Sequence, residues 1–451
     1  MKDYVKVNGK QFSFRGKPIL FSGLGVGSWL NMEHFMMGIP GTDKQIRETF
    51  TQVLGREDAE VFFDSFIINF MGEEDFAFLR DVGVNLLRVP FNYRLFIDDE
   101  HPDAYKEEGF RYLDRLLAFC TKYEIFLLPD LHTAPGGQNP DWHSDNQTGI
   151  PQFWHYGIFQ EQIIGLWKRI AARYREETYL LGYDLLNEPF LMPKREGMLN
   201  RFYEKVTGAI REVDQNHIIF LEGDFFSMDF SSVALPEDEQ TALTFHFYPG
   251  VWETHLTKKD FDAGKRVERM DELLTGFDGL REQFGRPILC GEAGVDIDRE
   301  DIPFTMQLVE ETLALFHKHG LSWTLWSYKD AQWMGLSWPK DDTGWMAFVR
   351  KVRDKWSHYG QMQIADELMD EIGKRYTQDF SKELKYELQF QLRGLLYRME
   401  QEYFLKPLLM EYEKEALLTL PESFRFENCG FYEEYRDLLK KYSWKGQSYN
   451  N

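Results

Sequence analysis

Two glutamates end apolar runs in this chain. Glu188 closes the run in "LLGYDLLNEPF", residues 180–190, and Glu292 closes the one in "RPILCGEAG". A buried strand can be apolar throughout, so a carboxylate at its tip is costly to bury unless something uses it. Two such carboxylates facing one cavity can cleave a sugar bond. One must be protonated to donate to the leaving oxygen, while the other stays ionised to attack carbon. Retaining glycosidases hold the two about 5–5.5 Å apart, and inverting ones roughly 6.5–9.5 Å apart to leave room for water. Arg88 in "LLRVPFNY" is suited to keep Glu292 ionised by charge pairing. Glu188, in a drier spot beside an ionised carboxylate, is then the acid.

Such residues need a scaffold that aims strand tips at one point. Apolar strand-like runs alternate with helical patterns along the chain. The strand-like runs are "PILFSGLGVGSWL", "GVNLLRVPF", "EIFLLPDLHT", "YLLGYDLLNEP", "HIIFLEGD", "TALTFHFYPG", "RPILCGEAG" and "LSWTLWSYKD". Amphipathic stretches such as "FQEQIIGLWKRIAARYREE" separate most of them, with Phe159, Ile163, Trp167, Ile170 and Tyr174 on one stripe. Eight strands with intervening helices predict an α/β fold, a (β/α)8 TIM barrel. A doubly wound sheet would want a phosphate loop, and "GLGVGSW" lacks the G-x-G-x-x-G spacing and a following helix. "VKVNGKQFSFRGKPILF" predicts an N-terminal β-hairpin turning at Asn8-Gly9. Residues 31–72 read as a partly helical insertion. After about residue 352 the pattern becomes charged and helical without a sustained heptad. The expected organisation is a barrel over 1–355 and a helical extension over 356–451 packed on it.

A barrel gathers its chemistry at the C-terminal ends of its strands. The polar residues there are Arg88 on the second strand, Asp130 and His132 on the third, and Asn187 and Glu188 on the fourth. His246 and Tyr248 follow on the sixth, Glu292 on the seventh and Trp326 on the eighth. Trp333, Trp338 and Trp345 fall in the last loop region, where exposed aromatics serve binding, and are expected at the cleft wall. Other tryptophans, such as Trp167, are expected in the core.

Bulk properties narrow the partners. The net charge of −22 repels nucleic acid and anionic membranes. No segment has the apolar length of a membrane helix. The start "MKDYVKVNGK" shows no signal-peptide pattern, and the three scattered cysteines suit reduced thiols, so a cytoplasmic setting is expected. A metal-dependent hydrolase built on His132, His246 and Asp130 has no His-x-His on the first strand and no H-E-x-x-H to support it.

In order, Arg88, His132, Asn187-Glu188-Pro189, His246-Phe247-Tyr248, Glu292 and Trp326 resemble the strand-by-strand pattern of family 5 glycoside hydrolases. The resemblance runs from about residue 23 to residue 326. It implies that Glu188 is the acid/base and Glu292 the nucleophile. It further implies that Asn187 contacts the sugar 2-hydroxyl, Tyr248 hydrogen-bonds the nucleophile, and Trp326 floors the first sugar subsite. His132 and His246 would bind hydroxyls or orient neighbours. "GVGSWLNMEHF" and "LHTAPGGQN" are similar to motifs of microbial exo-1,3-β-glucanases, which implies a substrate-binding Glu33. The eighth-strand loop and the helical tail depart from that pattern. The expected activity is retaining, exo-acting hydrolysis of β-glucosides or short gluco-oligosaccharides, without cofactor or metal. A β-mannosidase or other β-glycosidase of the same family, and a catalytically silent carbohydrate-binding barrel, are the alternatives. The expected partner is the oligosaccharide or glycoside, with oligomeric state left open.

Overall fold

The computed structural model describes residues 2–192, 195–376 and 381–444. Eight parallel strands close into a barrel in chain order: β1 Ser22–Gly25, β2 Leu86–Asn92, β3 Phe126–Thr133, β4 Gly182–Asp184, β5 Ile218–Glu222, β6 Thr241–Phe247, β7 Ile288–Ala293 and β8 Ser322–Trp326. Helices such as Glu107–Tyr123, Gly157–Tyr174, Met198–Arg211 and Ala263–Phe284 form the outer layer. The TIM barrel read from the sequence is the fold observed.

Side-chain alternation decides what each strand offers. On the outer face, Leu87, Val89 and Phe91 of β2 join Ile219, Leu221, Leu243 and Phe245 in the large core shared with the helices. On the inner face the lower layer is apolar: Leu86, Phe126, Leu128, Phe220 and Ala242 pack together. Two residues further along the same strands the inner face turns polar, with Arg88, Asp130, Glu222 and Thr244 all buried. The barrel is therefore a hydrophobic plug below and a charged chamber above.

The N-terminal hairpin seals the bottom of that plug. Lys6–Asn8 pairs with Gln11–Phe14 around Asn8-Gly9, as its turn chemistry requires. A third strand, Lys17–Ile19, follows through Arg15 and Gly16, both at positive φ, so the expected hairpin is a three-stranded meander. Phe12 packs on Phe21 and Phe220 at ring separations of 5.4 and 5.9 Å.

At the opposite end, the insertion after β1 forms helices Asp43–Leu54 and Arg56–Phe70, the first opened by a capping box on Thr42. Two of the three loop tryptophans do not reach the cleft. Trp345 lies in the first turn of helix Gly344–Arg353, fully buried beside Phe66 and Phe424, and its indole N–H donates to the Met37 carbonyl at 3.1 Å. Trp338 stacks on Tyr432 within the strand pair Ser337–Pro339 and Cys429–Phe431. Both are packing aromatics recruited by the tail, which the local sequence does not reveal.

The tail beyond residue 355 makes close contacts with the barrel. Gln401 Nε2 donates to the Pro40 carbonyl at 2.5 Å and its Oε1 accepts from Thr49 at 2.7 Å. Helix Glu433–Tyr442 lies along Ile302–His319. Residues 377–380 and 445–451 of the expected extension lie outside the described residues. The tightest link is Lys329, fully buried after β8. Its ammonium donates to Asp75 at 2.7 Å, to the Phe70 carbonyl at 2.7 Å and to the Phe424 carbonyl at 2.9 Å. Three donors meet three acceptors, and Tyr328 adds a hydrogen bond to Asp75 at 2.5 Å.

Removing one member of a buried pair leaves an uncompensated charge. Lys329→Met should therefore lower stability by about 3–5 kcal/mol in denaturant unfolding, and adding Asp75→Asn should recover part of that loss. A loss under about 1 kcal/mol for the single variant would show that Asp75 is not held as a dry carboxylate.

Candidate active site

Arg88 stands at the centre of the polar chamber. Nε donates to Asp184 at 2.8 Å and Nη1 to Glu292 at 2.6 Å. Nη2 donates to Asn187 at 2.8 Å and to Glu222 at 3.0 Å, with Asp130 at 3.2 Å. One buried cation thus faces four carboxylates, and their fields outweigh burial and keep the guanidinium charged. Asp184 is pushed well up by burial and by Glu222 and Asp130 against the pull of Arg88.

Glu292 enters this network through a break in strand pairing. The register between β6 and β7 shifts between Cys290 and Glu292, placing Glu292 opposite His246. A side chain at Gly291 would meet Thr244 Oγ1 at 2.4 Å, so the irregularity needs glycine there. Glu292 then has Arg88 on Oε1 and the Tyr248 hydroxyl on Oε2, the latter at 2.9 Å. Burial and the charge of Glu292 hold Tyr248 well above its ordinary range, so it remains a hydrogen-bond donor to the carboxylate.

Glu188 is built differently. Its backbone sits at φ +47°, where a non-glycine residue is strained, and its N–H donates to Glu222 at 2.6 Å. Its carbonyl accepts from Asn139 at 3.0 Å. Glu222 therefore ties Arg88 to the Asn187-Glu188 turn. The Glu188 side chain lies between two imidazoles, His246 Nδ1 at 2.6 Å and His143 Nε2 at 2.8 Å. Burial pushes its pKa up, but the charges and hydrogen bonds of His143 and His246 pull it below the carboxylate range. His143, disfavoured by burial but faced by Glu188, rises to about 9. The sequence reading expected a dry spot that favours a proton on Glu188; in the fold burial acts that way, and the two imidazoles oppose it. Oxygens of Glu188 and Glu292 lie within 4.8 Å of one another.

The remaining sequence-selected residues line the same mouth. His132 bonds Asp130 at 2.7 Å through Nδ1 and lies parallel to Trp326, ring centres 5.6 Å apart. Trp326 is 4 % exposed and covers Gly25 and Gly27, where side chains would meet its ring at 2.6 and 2.4 Å. Glu33 is buried 3.6 Å from His132, its pKa driven well up by burial, with Oε1 unpartnered. Asn187 likewise keeps Nδ2 free while Oδ1 is fixed by Arg88. These two unpartnered buried groups face the chamber with capacity to bind a ligand's hydroxyls. All nine selected residues, Glu33, Arg88, His132, Asn187, Glu188, His246, Tyr248, Glu292 and Trp326, belong to this connected arrangement.

Four further residues complete it. Glu222 ends an apolar strand as Glu188 and Glu292 do, so the same signal was present. Asp184, two residues past Gly182 in "GYDLLNEP", looked like ordinary strand sequence. His143 and Asn139 come from the loop after β3, where only the fold brings them to Glu188. Two carboxylate groupings have metal-like spacing among the described residues: Glu188, His246 and Glu292, and Asp130, Asp184 and Glu222. The guanidinium of Arg88 serves the second as its cation, and the donors of the first are engaged with Arg88, Tyr248 and His143.

The comparisons with known proteins point one way. The model for Cellulase (glycosyl hydrolase family 5) matches residues 59–332. The chain is 37 % identical over 362 residues to a beta-xylosidase of Phanerodontia chrysosporium, covering 77 % of this chain and 75 % of that protein. It is 27 % identical over 284 residues to a glucan 1,3-beta-glucosidase of Pichia angusta, covering 60 % of this chain and 63 % of that protein. In fold it is similar to Thermotoga maritima Cel5A, solved in complex with a mannotriose substrate, with a TM-score of 0.52 and 16 % identity over 70 % of this chain and 92 % of that one. With its closed barrel and paired strand-tip glutamates, this chain belongs to glycosyl hydrolase family 5 and is a glycoside hydrolase.

Proposed function

We propose that the protein is a retaining, exo-acting β-glycoside hydrolase that takes β-glucosides or short gluco-oligosaccharides. The observation that carries this reading is the proximity of Glu188 and Glu292, oxygens within 4.8 Å, with unlike partners. That spacing suits the close carboxyl pair of retaining enzymes, about 5–5.5 Å apart, better than the roughly 6.5–9.5 Å of inverting ones.

In the first step the Glu292 carboxylate, oriented by Arg88 and Tyr248, forms a bond to the anomeric carbon as the glycosidic C–O bond breaks. The leaving oxygen takes its proton through Glu188, which draws on the proton it shares with His143. In the second step water attacks the same carbon, the ester bond to Glu292 breaks, and the water's proton returns to the Glu188–His143 pair. Asn187 Nδ2 donates to the 2-hydroxyl, Glu33 and His132 bind hydroxyls of the glycone, and Trp326 lies beneath the ring. His246 orients Glu188. The exo reading rests on a roof of aromatics: Phe35 from the insertion meets Trp142 and Trp333 at ring separations of 5.0 and 5.8 Å, beside Trp326. The three buried, unpaired thiols support a cytoplasmic setting. A second reading, xylose as the glycone, is favoured by the 37 % identity to the beta-xylosidase.

Three measurements test this. Glu292→Gln should lower kcat/KM by about 10³-fold or more on aryl β-glycosides, and full activity in that variant would leave a silent or differently built site. NMR of the first-formed sugar should show the β anomer, whereas an α product would mean single displacement. On a panel of aryl β-glucoside, β-xyloside and β-mannoside, the highest kcat/KM identifies the glycone. A further prediction concerns pH. His143 has its pKa raised from about 6.5 to about 9, so the imidazolium persists through neutral pH and is lost as pH rises through 9. The alkaline limb of kcat/KM should therefore fall near pH 9, and His143→Gln should displace it. An unmoved limb would remove His143 from the proton path.

A further inference from the structure

The catalytic pair has two sides. Trp326, His132 and Glu33 hold the side assigned to the glycone. Beyond His143, the imidazole that touches Glu188, the fold assembles five aromatic rings without a role in the steps above. Phe190 follows the Glu188-Pro189 turn. Phe225 and Phe226 come from the loop after β5, and Tyr386 and Phe390 come from the tail helix Lys382–Glu400. Phe190 meets Phe225 and Phe226 at 5.1 Å each and Tyr386 at 6.0 Å. Tyr386 meets Phe390 at 4.8 Å, and Phe390 meets Phe226 at 6.5 Å. Phe226 in turn lies 6.0 Å from His143, the imidazole that touches Glu188.

Two features show that this cluster is held in place at a cost. Phe225, Phe226 and Ser227 stand consecutively at φ +56°, +57° and +61°, and none is glycine. Left-handed backbone is costly for a residue that carries a Cβ. Burial does not offset this for Phe225, whose side chain is 42 % exposed at the rim. Strain of this kind is retained where a side chain has to point in one direction. The second feature is the closeness of the tail helix. A side chain at Gly149 would meet the backbone of Phe390 and Gln391 at 2.4 Å, and one at Gly394 would meet the Gln147 carbonyl oxygen at 2.5 Å. Glycine on both surfaces lets the helix press backbone to backbone on the loop that carries His143. Arg393 also faces Asp141 of that loop at 3.7 Å.

We propose that these rings form the leaving-group subsite, and that Tyr386, Phe390 and Phe225 select β-glycosides whose leaving group is flat and apolar. This rests on the assignment of Glu188 as the proton donor, which puts the departing group on its side. A sugar leaving group brings several hydroxyls, each of which loses its water partners on binding and needs a replacement. Of the five rings only Tyr386 carries a hydrogen-bonding atom. An aryl or polycyclic leaving group has no such requirement and gains ring-to-ring contact. The same surface receives an aromatic alcohol in the second step: its hydroxyl oxygen replaces water at the anomeric carbon, the bond to Glu292 breaks, and the alcohol's proton passes to Glu188.

The test compares two substrates with one glycone, a 2-phenylethyl β-glycoside and the matching β-linked disaccharide, in the parent enzyme and in Phe225→Ala and Tyr386→Leu. Phe225 is exposed enough to be truncated without unfolding the chain, and a thermal melt of each variant checks this. Each variant should lose about tenfold in kcat/KM on the phenylethyl glycoside while the disaccharide changes less than about twofold. Transfer to added 2-phenylethanol, relative to hydrolysis, should fall in parallel, and inhibition by the free glycone should not change. Equal losses on both substrates would make the cluster merely structural, and no loss on either would place the leaving group elsewhere; both overturn the proposal. Its failure is distinguishable from failure of the catalytic assignment, which Glu292→Gln tests alone.

Discussion

The site depends on the burial of one guanidinium. Arg88 sits on an inward-facing position of β2, fully buried from solvent. Moving such a charge out of water is affordable only with close partners of opposite sign and satisfied hydrogen bonds. The strands supply Asp130, Asp184, Glu222 and Glu292, each from a different neighbour around the barrel. Because every partner is fixed by a strand, the geometry is set by the barrel rather than by loops. Glu292 inherits its orientation from this arrangement, and so does the Asn187-Glu188 turn, through Glu222. The charged chamber is costly to build and for that reason well determined.

The two catalytic-position glutamates therefore differ by construction. One is pinned by a cation and a phenol, the other suspended between two imidazoles. A carboxyl in an apolar pocket would hold its own proton. Here the charges and hydrogen bonds of His143 and His246 outweigh burial and hold Glu188 below the carboxylate range.

Much of this was legible beforehand because a barrel converts sequence period into direction. Leu86 and Arg88, or Phe220 and Glu222, are two residues apart and so share a face, one in the plug and one in the chamber. Apolar runs ending in a charged residue thus mark strand tips. Glu222 carries the same mark as Glu188 and Glu292. Residues in loops escape such reasoning. His143 lies ten residues beyond the end of β3 and reaches Glu188 only because Asn139 and Asn146 fold that loop back on itself. Trp338 and Trp345 sit in a polar, proline-containing stretch that reads as exposed. The burial of Trp345 and the partial burial of Trp338 come from Phe424 and Tyr432, 79 and 94 residues downstream, which no local pattern announces.

Those downstream contacts have a consequence for how the molecule comes into being. Lys329 follows the last barrel strand, yet one of its three acceptors, the carbonyl of Phe424, lies 95 residues further along the chain. During synthesis the eight strands leave the ribosome first, and the ribosome needs on the order of ten seconds to add those residues. Throughout that interval the ammonium beneath the β8 loop has only Asp75 and the Phe70 carbonyl as partners. The tail acts as a closing clasp, so that the last contact of this buried cation forms only after the residues around Phe424 have been added.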